Sequence, residues 1–330
     1  MNDILSLSTR PRRLSDLAGQ DSIVKAIRNH MAKRAPRTWL FSGDPGTGKT
    51  TLAGIMSVAL QCEHMKLWGD PCDTCWKNRK QFAIHEINAS KNSGVEDLER
   101  IAELSLHRPM AGQKRVIVLD EVASISKTAW SAILTPMEEP PEYTVWILCT
   151  SEPRKVPAAN QRRCVKYQLK LLGIDATEQF LKSQAAAAGI TRSLEPLIEC
   201  VHRMQIGAPG VLLQALEKYA AGADASEAVT SVDGSTVDTL RLCKAVTSGD
   251  WKGVTGVLKV STGDEARYIR ASIAGWLKGV MARESSTSGL DRASTSILEL
   301  CAPPLEDSTM MHWLWATLYR ITKRYQGVGR

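Results

Sequence analysis

The segment GDPGTGKT at residues 43–50 constrains this chain more than any other feature. It follows the apolar run 39–41 and precedes an apolar helical pattern at 52–60, so it satisfies G-x-x-x-x-G-K-[ST] in the strand, loop and helix order that this motif requires. Glycines let backbone N–H groups converge on phosphate oxygens, and the helix N-terminus adds positive potential. The motif predicts a phosphate-binding loop (P-loop), with Lys49 reaching the β- and γ-phosphates and the Thr50 hydroxyl holding Mg²⁺.

The third apolar run of the chain, 116–119, ends in the carboxylate pair Asp120 and Glu121. At the tip of a buried strand beside a P-loop, we expect Asp120 to orient the hydrated Mg²⁺ and Glu121 to polarise an attacking water. The alternative is an ordinary solvated strand end. Together with the P-loop, the pair predicts hydrolysis of a nucleoside triphosphate by in-line attack.

The alternation of apolar runs with helical patterns predicts the fold class. The predicted strands are 39–41, 83–87, 116–119, 145–148 and 165–169. They predict an α/β domain with a parallel five-stranded sheet over 1–172, after which strand-like runs disappear and apolar residues recur at helical spacing. We expect a small helical lid domain at 173–222, a small polar linker at 223–236 and an all-helical collar domain at 237–330.

Composition excludes several classes of protein. The 330 residues are 43% hydrophobic and show no glycine or proline period, which excludes fibrous and disordered chains. No stretch approaches the ~20 apolar residues that span a bilayer, so we expect a soluble intracellular protein with no membrane partner. The net charge of +7 is compatible with a polyanionic partner, and it is also common in proteins that never meet one.

Three of the eight cysteines crowd into Cys62, Cys72 and Cys75. This clustering, with Cys-x-x-Cys at its end, points to a metal site and not to disulfides. A structural zinc site takes four nitrogen or sulfur ligands, and His64 or His85 is the candidate fourth. The alternative is a degenerate knuckle that holds no metal.

Four sequence blocks in a fixed order resemble those of a known family. They look like the bacterial DNA polymerase III gamma/tau subunit and, more distantly, the replication factor C small subunits, which are clamp-loader ATPases of the AAA+ class; a phage-encoded version is one candidate source. The blocks are RPRRLSDLAGQ at 10–20, the P-loop, LDEV at 119–122 with MEEPPE at 137–142, and SEPRKVP at 151–157 leading to Arg163 and Cys164.

The resemblance implies roles for matching residues. Segment 10–20 would line the adenine pocket, Thr150 and Ser151 would sense the γ-phosphate, and Arg163 would act in trans on ATP held by a neighbouring subunit. The family's serine before this arginine is Arg162 here. Motif and resemblance together assign nucleotide contacts to Arg10, Pro11, Leu17, Ala18, Gly43, Asp44, Pro45, Gly46, Thr47, Gly48, Lys49, Thr50 and Thr51.

The chain departs from the family pattern at two positions. The fourth cysteine of the family is Asn78 here, and the lid-domain arginine that would contact the γ-phosphate is Gly210. Arg203 is a candidate substitute for that arginine. Contacts with the DNA backbone are carried over to Lys91 and Lys127, with an ordinary solvated surface charge as the alternative.

The resemblance therefore implies an ATP- and Mg²⁺-dependent clamp-loader subunit with a structural Zn²⁺. Expected partners are further clamp-loader subunits in a homo- or hetero-pentamer, a sliding clamp and primer-template DNA, in the bacterial cytoplasm or that of an infected host cell. Two other readings stay open: an AAA+ ATPase that acts on DNA junctions, and a scaffold that binds nucleotide without turning it over.

Overall fold

A computed structural model describes most of the chain. The described residues are 9–33, 35–65, 67–90, 94–230, 232, 239–259, 266–282, 284–301 and 310–326. They divide into two compact units. The first lies within Met1–Phe180 and also includes Ala208–Gly210, and the second lies within Leu181–Gly207 and Val211–Arg330.

A five-stranded sheet forms the centre of the first unit, and all its strand pairs are parallel. Its order is β2-β3-β4-β1-β5, which confirms the predicted parallel α/β fold. The strands are β1 (Thr38–Ser42), β2 (Ile84–Asn88), β3 (Arg115–Asp120), β4 (Thr144–Thr150) and β5 (Val165–Gln168).

Helices cover both faces of this sheet. They are α1 (Asp21–Lys33), α2 (Lys49–Ala59), α3 (Asp73–Lys77), α4 (Val95–Ser105), α5 (Lys127–Glu138) and α6 (Ala158–Arg163). Helix α7 (Ile174–Ala187) follows, and its residues from Leu181 onward belong to the second unit. Successive side chains of a strand point to opposite faces, so Trp39 and Phe41 pack in one core with Leu52 of α2, while Leu40 packs in the other with Trp130 of α5.

The sheet order determines where functional side chains gather. In this order β4 lies between β1 and β3, and Ser42 at the end of β1 is in register with Thr150 at the end of β4. The carboxyl ends of β1, β4 and β3 therefore share one edge. Ligands of parallel α/β sheets bind at this carboxyl edge.

The second unit is helical. Its helices are α8 (Glu195–Met204), α9 (Pro209–Ala220, from Val211 onward), α10 (Ala225–Thr230), α11 (Thr239–Thr247), α12 (Trp251–Leu258), α13 (Ala266–Met281), α14 (Thr287–Cys301) and α15 (Met310–Tyr325). A core from α11 to α15 includes the fully buried Leu242, Leu277 and Leu314. Within the described residues, every helix is too short or too polar to cross a membrane.

One expected boundary needs correction. Helix α10 occupies part of the segment predicted as the linker 223–236. Its Ala225, Ala228 and Val229 are buried, so small apolar side chains that looked like linker composition in fact pack a short helix. Residues 231 and 233–236 of that segment lie outside the described residues. The division into separate lid and collar domains stays a prediction.

Candidate functional site

The P-loop joins β1 to α2 with a backbone that requires glycine. Gly43, Gly46 and Gly48 have φ angles of 147°, 76° and 98°. A Cβ at Gly43 would lie 2.6 Å from the carbonyl oxygen of Leu169, so no larger residue fits there. The Thr47 hydroxyl donates to the Asp44 carbonyl at 2.7 Å, which fixes the turn before α2 begins.

The side chain of Lys49 folds back onto the P-loop. Its Nζ donates to the carbonyl oxygens of Gly43 at 2.8 Å and Asp44 at 3.0 Å. Burial lowers the pKa of this lysine, and nearby groups that include Cys149 and Asp120 oppose the shift. The ammonium group is thus partly desolvated and held by neutral carbonyls, a state in which phosphate oxygens would be stronger partners.

The predicted Mg²⁺ ligands are brought together at the carboxyl edge of the sheet. The Thr50 hydroxyl lies 2.6 Å from Asp120 Oδ2 and donates to it. The other carboxylate oxygen, Oδ1, accepts from the backbone N–H of Glu121 at 2.9 Å. A hydroxyl and a carboxylate are hard oxygen ligands of the type that Mg²⁺ takes in phosphate-binding sites.

Glu121 has an unusual backbone conformation. Its φ of 54° and ψ of 41° lie in the left-handed region, which a residue with a side chain rarely adopts. The chain turns there from β3 into a short helical turn at Val122–Ser124, and the side chain of Glu121 is exposed. Such an outlier costs roughly 1–3 kcal/mol and is typical of functional sites.

The predicted sensor pair ends β4. Thr150 is fully buried, and its Oγ1 accepts from the backbone N–H of Glu152 at 3.0 Å. Ser151 is exposed. Thr150 therefore lies at the same sheet edge as the P-loop, in register with Ser42, the residue that directly precedes the loop.

Arg163 lies at the opposite edge of the sheet. It ends α6, just before β5 begins at Val165, and β5 runs parallel to β1 with Val165 in register with Trp39. A strand rises about 3.3 Å per residue, so β5 alone separates Arg163 from the P-loop edge by about 13 Å. The guanidinium instead pairs with Glu138 at 2.6 Å and donates to the Ala159 carbonyl at 2.7 Å.

A cavity of about 390 Å³ lies beside α2. Four predicted nucleotide contacts line it, namely Arg10, Pro11, Thr50 and Thr51, and Arg10 Nε donates to Thr51 Oγ1 at 3.1 Å. The rest of its wall includes Trp76, Arg79, Lys80 and Glu86, to which the sequence motifs assign no role. The only signal for the first three was their position soon after Cys75, and Glu86 lies on the predicted strand β2.

Leu17 and Ala18 are half-buried in the same N-terminal segment, and Leu17 packs against the core beneath α2. Further along the chain, the backbone N–H of Gly210 donates to the Gly46 carbonyl at 2.9 Å. The residue found in place of the family's lid arginine thus contacts the P-loop through its backbone. Arg203 pairs within α8 with Glu199, at 3.9 Å, and its predicted role stays a prediction.

The three clustered cysteines converge. The sulfurs of Cys62, Cys72 and Cys75 lie within 4.8 Å of one another. The N–H of Cys72 donates to Cys62 Sγ and that of Cys75 to Cys72 Sγ, both at 3.4 Å. The bond from Cys75 N–H lowers the pKa of Cys72, whereas burial and the neighbouring thiols raise the pKa of Cys75 to about 12. This set of soft donors suits Zn²⁺ but supplies three of its usual four ligands.

Neither predicted histidine completes this set. His64 is exposed and lies outside the group that the three sulfurs form. His85 lies on β2 with Nε2 2.9 Å from an Arg115 Nη, and burial together with that guanidinium lowers its pKa. Among the described residues, no further His, Cys, Asp or Glu joins the cluster. Sequence proximity to Cys62 was therefore a poor guide to a fourth ligand.

The two predicted DNA contacts differ in what the structure shows. Lys127 is exposed at the first residue of α5, where the Ser126 side chain caps the helix. Lys91 lies outside the described residues.

The five-stranded parallel sheet, its P-loop and the Thr50 and Asp120 pair define a P-loop α/β domain, the fold class that the sequence predicted. Residues 19–173 match the family model described as DNA polymerase III, delta subunit. These findings, with the relatives below, confirm the resemblance to clamp-loader AAA+ subunits over this part of the chain.

Similar proteins include DNA polymerase III subunits gamma/tau. The chain is 32% identical over 205 residues to subunit gamma/tau of Mycoplasma pneumoniae, a match that covers 60% of this chain and 30% of that protein. It is 36% identical over 167 residues to subunit tau of Bacillus subtilis, covering 49% and 30%. The chain thus spans less than a third of the length of these relatives.

Solved structures with a similar fold include RuvB proteins of Thermotoga maritima. One RuvB variant has a TM-score of 0.54 at 15% identity, covering 83% of this chain and 92% of that one. A RuvB described as a Holliday junction branch migration motor has a TM-score of 0.50 at 16% identity, covering 72% and 79%. At this identity the likeness concerns the fold alone.

Proposed function

We propose that this protein is an ATPase subunit of a replication clamp loader. One observation carries the proposal: the phosphate and metal groups Lys49, Thr50 and Asp120 meet at one sheet edge, while Arg163 lies at the other. A site of this kind is complete only when a second subunit supplies the arginine. The similarity to gamma/tau subunits supports the same reading.

The residues at the carboxyl edge suit phosphoryl transfer to water. Mg²⁺ held by Thr50 and Asp120 would neutralise charge on the phosphates. Lys49 would exchange its loop carbonyls for phosphate oxygens, and the exposed carboxylate of Glu121 would accept a proton from the attacking water. Thr150 and Ser151 at the end of β4 would sense the γ-phosphate.

Arg163 would act on nucleotide held by a neighbouring subunit. An arginine supplied in trans stabilises charge on the transferred phosphoryl group and raises the rate by about 10³-fold or more. Glu138, from the MEEPPE block, forms an ion pair with the guanidinium and would orient it for that contact. An isolated subunit should therefore hydrolyse ATP poorly.

The proposed partners follow from this role. Several subunits, of one or more kinds, would form a pentamer that opens a sliding clamp when ATP is bound and places it on primer-template DNA. Hydrolysis would then release the clamp and DNA. Lys127 would contact the DNA backbone, a sequence-independent and salt-sensitive interaction. We place this activity in the bacterial cytoplasm.

We also propose that Cys62, Cys72 and Cys75 bind a structural Zn²⁺. The three sulfurs share one small space, and those of Cys62 and Cys72 accept backbone N–H bonds that stabilise thiolates. One further ligand would complete the four that structural Zn²⁺ sites usually have. The ion would supply folding energy to this insertion and take no part in hydrolysis.

The test is ATP turnover by the chain with candidate co-subunits, clamp and primer-template DNA. We expect stimulation by clamp and DNA, and suppression when the Arg163→Ala chain is mixed into the assembly. Arg162→Ala is the matched control, because Arg162 is the exposed neighbour in the same helix and has no assigned role. If neither the clamp nor the Arg163→Ala change alters ATP turnover, the proposal is refuted and an ATPase that acts on DNA junctions is favoured.

Gly210 favours a second candidate, a scaffold subunit that binds nucleotide without turnover. The position that carries the lid arginine in relatives contributes only a backbone N–H to Gly46 here. Glu121→Gln separates the candidates. An ATPase should lose about 10²-fold or more of its turnover with this change, since general-base catalysis contributes 10²–10⁴-fold. A scaffold has no turnover to lose, and its assembly should be unaffected.

A further inference from the structure

Asp70 fastens the cysteine-containing insertion 62–78 to the N-terminal segment 10–20. Its carboxylate accepts from Ser15 N–H at 3.2 Å, from the Ser15 hydroxyl at 2.8 Å and from an Arg28 Nη at 2.9 Å. The Asp70 side chain is only 11% exposed and its bond to Arg28 is partly buried, whereas Ser15 itself is exposed. Charge-assisted bonds of this kind are among the stronger polar contacts in proteins.

The backbone beside Asp70 makes an equally close contact. Gly69 has a φ of 88°, and a Cβ at this position would lie 2.2 Å from Leu14 Cδ1. Leu14 is fully buried in the core beneath α2. The Trp68 carbonyl accepts from Arg28 Nε at 3.2 Å. Insertion and segment are therefore packed together and do not merely touch at their surfaces.

Segment 10–20 also reaches the P-loop helix. The bond from Arg10 Nε to Thr51 Oγ1 is made one residue after the Mg²⁺ ligand Thr50. Two anchors thus hold the segment, one on α2 and one on the insertion.

The cysteine cluster has its own contact with α2. Val58 of α2 forms a small buried group with Cys62 and Cys75, and Trp76 packs against it. The same insertion therefore supports both the segment and the helix that would contact the nucleotide. A change in the fold of the insertion would therefore alter the nucleotide site through segment 10–20 and through α2.

We propose that Asp70 is a positioning residue for nucleotide binding. It holds segment 10–20 against α2, and the fold of the insertion around its three thiols thereby raises the affinity for adenine nucleotide. This inference rests on one part of the proposed function, namely that segment 10–20 lines the nucleotide site. Coupling between two binding sites is reciprocal. If Zn²⁺ bound to the thiol cluster raises the affinity for nucleotide by a given factor, bound nucleotide must raise the affinity of the cluster for Zn²⁺ by the same factor.

The first experiment measures the affinity of the full chain for a fluorescent ADP analogue. Asp70→Ala should weaken binding about tenfold, because it removes three bonds and leaves the Arg28 guanidinium without its shielded partner. Ser15→Ala removes one hydroxyl and should weaken binding about threefold. It serves as the milder variant if Asp70→Ala does not fold.

Asp73→Ala is the matched control. Asp73 also links the insertion to the segment, through Arg13 at 3.0 Å, but both side chains are largely exposed, at 73% and 46%. Exposed ion pairs contribute little, so ADP affinity should change less than about twofold. An Asp73→Ala loss as large as that of Asp70→Ala would overturn the assignment to Asp70.

The second experiment distinguishes positioning from general loss of stability. The variant with both Ser15→Ala and Asp70→Ala should bind ADP as Asp70→Ala alone does, since both act through one contact. In the parent chain ADP should strengthen Zn²⁺ binding in a chelator competition, and Asp70→Ala should abolish that effect. Unchanged ADP affinity in both Asp70→Ala and Ser15→Ala overturns this inference but leaves the proposed function standing. A parent chain that does not bind ADP refutes the proposed function as well.

Discussion

The P-loop and the cysteine cluster occupy neighbouring parts of one unit, yet their geometries are maintained differently. The P-loop is fixed by its own backbone, through the glycine angles at 43, 46 and 48 and the Thr47 to Asp44 bond. The cysteine cluster brings three sulfurs together but has a raised pKa at Cys75. The first site is preorganised by the chain, while the second, under the proposal of bound Zn²⁺, would be completed by the ion.

This difference predicts how each site fails. Removing one side chain from the P-loop should abolish a function and leave the fold intact. Removing one thiol from the cluster should weaken the fold first, and function only through it.

The largest effect is expected from Lys49→Ala. Loss of the ammonium should lower ATP turnover by about 10²–10³-fold, the usual result of removing one preorganised electrostatic partner. The melting temperature without nucleotide should stay the same or rise, because a partly desolvated charge is removed. Lys33→Ala, at an exposed position of α1, is the control. A large loss of stability in Lys49→Ala would contradict the comparison.

Cys75→Ala should mainly affect stability. We expect loss of bound Zn²⁺, measured by a colorimetric chelator, and a fall in melting temperature of about 5 °C or more. Cys301→Ala removes an exposed thiol at the end of α14 and should change neither quantity. Equal metal content in the parent chain and both variants would show that the cluster holds no metal.

The pH dependence of nucleotide affinity should be smaller but diagnostic. Phosphate binding needs the protonated lysine, and burial lowers the pKa of Lys49 below its ordinary value of 10.5. ADP affinity should therefore fall as pH rises through this lowered pKa, before free lysine would titrate. Groups that shift this pKa upward are Cys149, Asp120, Asp44 and Glu121. Titrations from pH 7 to 10.5 test this, and the dependence should disappear in Lys49→Arg; a flat profile in the parent chain contradicts it.

The smallest effect is expected from Gly210→Ala. The added Cβ would lie 3.2 Å from Gly46 Cα, so the P-loop would have to shift by a few tenths of an ångström. We expect a loss of about 1 kcal/mol in the free energy of unfolding, measured in urea. Gly173→Ala is the control, because its Cβ would meet nothing within 4 Å. Equal stabilities would indicate that the loop yields freely.

Local patterns predicted the sheet and the P-loop well. Strands β1 to β4 are short runs whose apolar residues face two cores, and the P-loop glycines follow from φ angles that the motif itself requires. The grouping of Thr50 with Asp120 was also predictable, because parallel strands bring their carboxyl ends to one edge.

Contacts between distant segments away from the carboxyl edge of the sheet were not predictable. Nothing near Asp70 in sequence indicates that its partners are Ser15 and Arg28, which lie 55 and 42 residues away. The ion pair between Arg163 and Glu138 was not predicted either, because the two residues are distant in sequence. The helix at 225–230 was missed because alanine and serine are as common in linkers as in short helices.

The placement of Arg163 and the P-loop at opposite edges of one sheet limits how copies of this domain can associate. If Arg163 acts on a neighbour's nucleotide, a dimer with two-fold symmetry would need both of these edges inside one surface patch, because both partners use the same patch. Head-to-tail contact satisfies the geometry, and it leaves one nucleotide site and one arginine unmatched whenever the arc stays open. An open arc therefore has one fewer complete site than it has subunits. Its two ends are chemically different, which gives the assembly a direction.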